Sequence, residues 1–152
     1  MPTLNRTTSQ EIDLAALGET YSRADIELEG LDHGGSSYEG RVYVNNPEAD
    51  HDTEPSAENG YAGSYYVFGH GGCYGDQGHC DVLPRSPYDP RPPHGLSPTR
   101  KVVVATDAIR RVAAKGEPLI VTVVPVVLST TDKVPEDEEL PNFQAVSVIA
   151  YQ

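Results

Sequence analysis

The chain is short of positive charge, of cysteine and of unbroken apolar sequence, and each shortage removes a class of function. Eleven Lys and Arg stand against 23 Asp and Glu, a formal net charge of −12 at pH 7. Phosphate backbones are gripped by clustered Lys and Arg, and the cluster here is only Arg110–Arg111 with Lys115. Nucleic acid is therefore not an expected partner, and an anionic membrane surface would repel the chain. No apolar run approaches the roughly 20 residues that a bilayer-spanning helix needs. The opening Met-Pro-Thr-Leu-Asn-Arg has no basic stretch leading into an apolar one, so no secretory signal is visible and a cytoplasmic location is expected. Two cysteines do not make a disulfide framework.

What remains is 152 residues, enough for one domain whose core closes without metal or disulfide support. Fourteen Gly and 13 Pro with a hydrophobic fraction of 38% predict short apolar strands joined by elaborate loops, not a helix bundle. Acid gathers in two segments, 47–60 and 131–141, which hold 10 of the 23 carboxylates. Both contain proline and read as solvated loops, and neither has the Asp-x-Asp-x-Asp-Gly spacing of a calcium loop.

Six segments carry strand signals. In 23–31, Ala24, Ile26 and Leu28 alternate with Asp25, Glu27 and Glu29, a period of two that predicts one wet face. In 38–46, Gly40 shares parity with Tyr38, Val42 and Val44 and marks an expected bulge or bend. Segments 61–69, 101–105, 119–128 and 143–151 are rich in β-branched and aromatic residues. Pro125 has no N–H to give a ladder, so its strand must be broken, bulged or at an edge there. Two short helices are expected. One is 9–17, with Thr8 and Glu11 as a capping box and Gly18 at its end. The other is 107–115, with Thr106 as N-cap, Ile109, Val112 and Ala113 as its apolar stripe, and Gly116 as its stop. The expected architecture is mostly β: an antiparallel, jelly-roll-like sandwich or barrel carrying one or two short helices. It is read as a single domain over 1–152, with an N-terminal arm (1–21), a β core (22–128) and an acidic loop leading to the last strand (129–152).

The densest signal is Gly69-His-Gly-Gly-Cys-Tyr-Gly-Asp-Gln-Gly-His-Cys-Asp81, which holds five glycines, both cysteines and two of the five histidines. A proline-rich stretch, 84–98, follows, and together they form a long excursion over 69–99 of the kind kept for function or for disorder. Three readings of Cys73 and Cys80 stay open. They can close a local disulfide, since the glycines between them let two Cα atoms approach within about 6 Å. They can join His70 and His79 as two thiolates and two imidazoles, a donor set that suits zinc or a soft copper ion. Or they are small thiols filling gaps. His33 and His51 read as turn and loop residues, and no Gly-x-Ser-x-Gly elbow or His-Glu-x-x-His helix anchors a hydrolase.

Tyr38-Glu-Gly-Arg-Val-Tyr-Val-Asn-Asn-Pro47 and Gly60-Tyr-Ala-Gly-Ser-Tyr-Tyr-Val-Phe-Gly-His70 resemble the C-terminal domain of polyphenol oxidases and long bacterial tyrosinases, a type-3 copper family. Helix 107–115 and Val121-Thr-Val-Val-Pro125 follow in the family's order, so the likeness spans residues 22–128. The resemblance implies a β-sandwich lying over the binuclear copper site of an oxidase domain, shielding it or helping it assemble. It implies a tyrosinase-like copper domain as partner, with Tyr65, Tyr66, Phe68 and Tyr74 covering the mouth and His70, Cys73, His79 and Cys80 fixing the covering loop. It does not imply phenol oxidation by this chain. A coupled copper pair takes six histidines from a helical bundle, and this chain has five with no His-x-x-x-His pair. The chain is therefore expected not to be an enzyme. The rival reading is a free-standing copper- or zinc-binding protein built on the 70–80 loop.

Overall fold

The computed structural model describes residues 6–70, 76–78, 81–91, 96–127 and 140–152. Their strands are β1 (Thr7–Thr8), β2 (Arg23–Leu31), β3 (Tyr38–Val44), β4 (Tyr61–Val67), β5 (Thr99–Val104), β6 (Val121–Val127) and β7 (Ala145–Tyr151), with one α-helix, α1 (Thr106–Ala114). They make two open antiparallel sheets, ordered β1-β6-β3-β4 and β5-β2-β7. The architecture is a sandwich, and the barrel alternative is set aside because each sheet ends on its own edge strands.

One core fills the space between the sheets. Ala24, Ile26 and Leu28 of β2 meet Tyr38 and Val42 of β3, Tyr65 and Val67 of β4, Val103 of β5, and Val121 and Val123 of β6. Ala108, Ile109 and Val112 of α1 cap it. Ile26, Leu28, Val42, Ile109 and Val123 are fully out of water, and each such side chain contributes about 1.5–3 kcal/mol of transfer energy. A smaller cluster, Tyr43, Ala49 and Val124 with Tyr61, lies apart from it. The acidic segment 47–60 is thus anchored: Ala49 is buried, and the Tyr43 hydroxyl donates to the Thr53 carbonyl at 2.9 Å, while Glu48, Asp50, Asp52, Glu54 and Glu58 face water.

Four local expectations change. The helix over 9–17 does not form beyond one 3-10 turn, Ala15–Leu17, closed by Gly18 at φ 71°. Residues 7–12 instead line the edge of β6: Ser9 N–H donates to the Val121 carbonyl, and Ile12 and Leu119 exchange two bonds of 2.8 and 2.9 Å. An isolated helix that short is marginal in water, whereas a sheet edge offers partners at once. Asp13, not Thr8, accepts the turn's first free N–H, from Ala15 at 2.9 Å.

At α1, Thr106 is the first helical residue and not the cap. Its hydroxyl accepts the Ala24 N–H at 3.1 Å, pinning the helix start to β2. Ala113 of the expected stripe is exposed and Ala108 takes its place, while Gly116 (φ 69°) closes the helix as expected.

The expected wet face of β2 is dry over most of its length. Asp25 and Glu27 are 1% and 3% exposed, because β2 is the central strand of its sheet. Asp25 lies between Val104 and Ile149, and Glu27 between Val102 and Ser147. Arg23 donates twice to Asp25 at 2.8 Å, and Arg100 stands 3.5 Å from Glu27. Of the three acids, only Glu29, near the strand's end, is exposed.

Gly40 marks no bulge; the register shift in β3 falls between Val42 and Tyr43. Gly40 is there because the Tyr65 ring lies across it, so close that a Cβ would stand 2.2 Å from Cζ. Pro125 does sit where an edge is needed. Strand β1 reaches only to Val123, so among the described residues that side of β6 is unpaired from Val124 onward.

Candidate functional site

Among the described residues β4 is an edge strand with β3 as its only ladder partner, and its alternation sorts the aromatic run. Tyr65 and Val67 point inward at 3% and 2% exposure, whereas Tyr66 and Phe68 are 50% and 80% exposed. Tyr65 therefore belongs to the core and not to a covering surface. Its ring packs edge-on to Tyr38 at 5.9 Å, and the two hydroxyls meet at 3.3 Å. Burial pushes the Tyr65 hydroxyl far above the usual tyrosine range, and Tyr38 adds to the shift. On the outward side, Ser64 donates to Glu39 at 2.8 Å and meets the Tyr61 hydroxyl at 2.7 Å, while Glu39 pairs with Arg41. Tyr66, opposite Glu39, and Phe68 just beyond the ladder have no such ties among the described residues.

Past Phe68 the chain dives against the β2–β3 turn. The Gly69 N–H donates to Ser37 Oγ at 3.0 Å, and a Cβ on Gly69 would stand 2.0 Å from the Gly35 carbonyl oxygen. Glycine is required there by close backbone approach. That approach delivers His70 to His33. Both the backbone N–H and Nδ1 of His70 bond the His33 carbonyl, at 3.2 and 3.0 Å, and the two rings lie 5.1 Å apart at 61°. His33 Nε2 in turn bonds the Ser97 carbonyl at 2.8 Å, so the start of β5 is tied in as well. The Asp32 carboxylate holds the turn by accepting the Gly34 N–H at 2.8 Å.

Of the expected metal set, His70 is exposed and joined to His33, while Cys73, His79 and Cys80 lie outside the described residues, as does Tyr74 of the covering set. His33, read from the sequence as an ordinary turn residue, is the site residue that was missed. It stands 37 positions from His70, and no local pattern announces their meeting. Farther along the excursion, Leu83 and Tyr88 are 76% and 93% exposed. Residues 85–91 nonetheless hold a defined turn. Arg85 donates to the Asp89 and Arg91 carbonyls, and the Arg91 guanidinium holds the Asp89 carboxyl below its usual range.

A coupled copper pair does not fit these residues. Among the described residues the single α-helix carries no histidine, and His51 sits on the loop between β3 and β4 beside Asp52, while His33 on the β2–β3 turn meets His70 just past β4.

No protein-family model matches the chain, and no curated protein matches it. Solved structures do. A recombinantly expressed latent aurone synthase, a polyphenol oxidase, superposes with a TM-score of 0.53 at 11% identity, over 100% of this chain and 26% of that one. The same latent enzyme from its natural source gives 0.51 at 11% identity, again over 100% of this chain and 26% of that one. The fold is thus similar to one portion of a polyphenol oxidase, and the chain spans about a quarter of the proteins it matches.

Proposed function

We propose that this chain is a non-catalytic domain that covers the substrate entrance of a tyrosinase-like binuclear copper domain, in the same parent protein or as a separate partner. The observation that carries the reading is the pair Tyr66 and Phe68, presented on an edge strand at 50% and 80% exposure. A soluble surface seldom spends two neighbouring aromatics on water, and buried aromatic anchors dominate interface energies. The likeness to a quarter of a latent polyphenol oxidase supports it, since a latent oxidase is one whose activity is withheld. In this reading the oxidation belongs to the copper domain, and this chain contributes shape, aromatic surface and a rigid frame beneath it.

The reading is tested by mixing the chain with a six-histidine copper domain of this type and following phenol oxidation. The chain should bind and suppress turnover. Phe68→Ala should weaken that effect by about tenfold or more, the loss of an aromatic anchor worth roughly 1.4 kcal/mol or above. Phe68 packs little against its own fold, so the variant should unfold at the same temperature as the parent. No association, with no change in activity or copper loading, would remove the proposal.

A further inference from the structure

We propose that His33 and His70 form a two-imidazole port for a nitrogen-preferring metal cation, zinc or copper, at the β2–β3 turn. Each ring has one nitrogen committed to a backbone carbonyl: His33 Nε2 to Ser97 at 2.8 Å, and His70 Nδ1 to His33 at 3.0 Å. A carbonyl oxygen only accepts, so both committed nitrogens carry the proton. In the neutral rings the lone pairs then fall on His33 Nδ1 and His70 Nε2, which have no partner among the described residues. Fixing one ring nitrogen by a carbonyl so that the other can ligate is the usual support of a metal-binding histidine.

The spacing agrees. Ring centres 5.1 Å apart lie within the roughly 5–6 Å that separates two imidazoles sharing one ion at about 2.0–2.1 Å per bond. The rings are also held in place before any ion arrives. Gly69 locks against Gly35 and Ser36, Ser37 holds the Gly69 N–H, and Asp32 holds the turn. A net charge of −12 favours the approach of a cation. Imidazole nitrogens select zinc and copper over calcium or magnesium, which want oxygen. This inference does not rest on the covering role and survives its failure.

The test is nitrogen-15 NMR of the histidine rings of the whole chain, titrated with Zn2+ alone. Before metal, His33 should be the Nε2–H tautomer and His70 the Nδ1–H tautomer. On adding Zn2+, the signals of His33 Nδ1 and His70 Nε2 should move together and saturate at one ion per chain. Calorimetry should show His33→Ala and His70→Ala each weakening Zn2+ binding by tenfold or more, with His51→Ala unchanged. The Cys73→Ser/Cys80→Ser variant should keep both ring shifts. Zn2+ shifts that include His70 but spare His33, no shift at either ring, or shifts that vanish in the double serine variant would overturn the pair.

Discussion

Alanine at Gly69 should destabilise the fold by about 3 kcal/mol, lowering the midpoint of thermal unfolding by roughly 6–12 °C for a chain of this size. The cause is the 2.0 Å separation between the new Cβ and the Gly35 carbonyl oxygen, with the Ser36 carbonyl carbon behind it at 2.5 Å. Both obstacles are backbone, so no side chain can swing aside. The segment must lift from the β2–β3 turn, which breaks the Gly69–Ser37 bond and the two bonds from His70 to the His33 carbonyl. Zn2+ affinity should fall with stability. Gly116→Ala is the control: it carries φ 69° but nothing lies within 4 Å of its Cβ, so it should cost only the left-handed backbone penalty, about 1–2 kcal/mol. Thermal unfolding of the two variants side by side separates collision from conformation. Equal losses would mean that the close approach at Gly69 is not a fixed feature.

A comparable loss, about 2–3 kcal/mol, is expected for Gly40→Ala, by a different route. Here the obstacle is the Tyr65 ring, whose Cζ and Cε1 would stand 2.2 and 2.3 Å from the new methyl. Tyr65 cannot move cheaply, being 3% exposed, packed edge-on to Tyr38 and bonded to its hydroxyl. Tyr65→Leu removes the obstructing end of the ring at the cost of a cavity, about 2–4 kcal/mol alone. In the double variant the methyl occupies space the ring has left. The combined loss should therefore fall short of the sum by about 1–3 kcal/mol. Chemical denaturation of the four proteins measures this, and strict additivity would contradict the packing of Tyr65 over Gly40.

The same glycine shows where sequence reading reaches its limit. Alternation in 23–31 and the β-branched runs at 61–69, 101–105, 119–128 and 143–151 located strands β2, β4, β5, β6 and β7, because period-two burial is a local property. Gly116 stopped α1 for an equally local reason, its positive φ. Position within a sheet is not local. Nothing in Ala24-Asp25-Ile26-Glu27 says that β2 is flanked on both sides, and flanking is what buries Asp25 and Glu27 and gives them Arg23 and Arg100. Residues 9–17 have a fair helical pattern, but the edge of β6, more than a hundred residues away, draws 7–12 into extended pairing instead. The sequence singles out the aromatic run 65–68 as one group, yet only strand parity separates Tyr65, which holds the core, from Tyr66 and Phe68, which face out. His33 reaches His70 only once β2, β3 and β4 have paired.

The covering role turns on what Phe68 touches. A photo-reactive benzophenone side chain placed at position 68 and irradiated in the assembled oxidase tests this most directly. Cross-links read by mass spectrometry should fall on residues lining the mouth of the copper domain, and substrate analogues that fill that mouth should compete them away. Cross-links confined to this chain itself, or to a copper-domain surface remote from the mouth, would contradict the account.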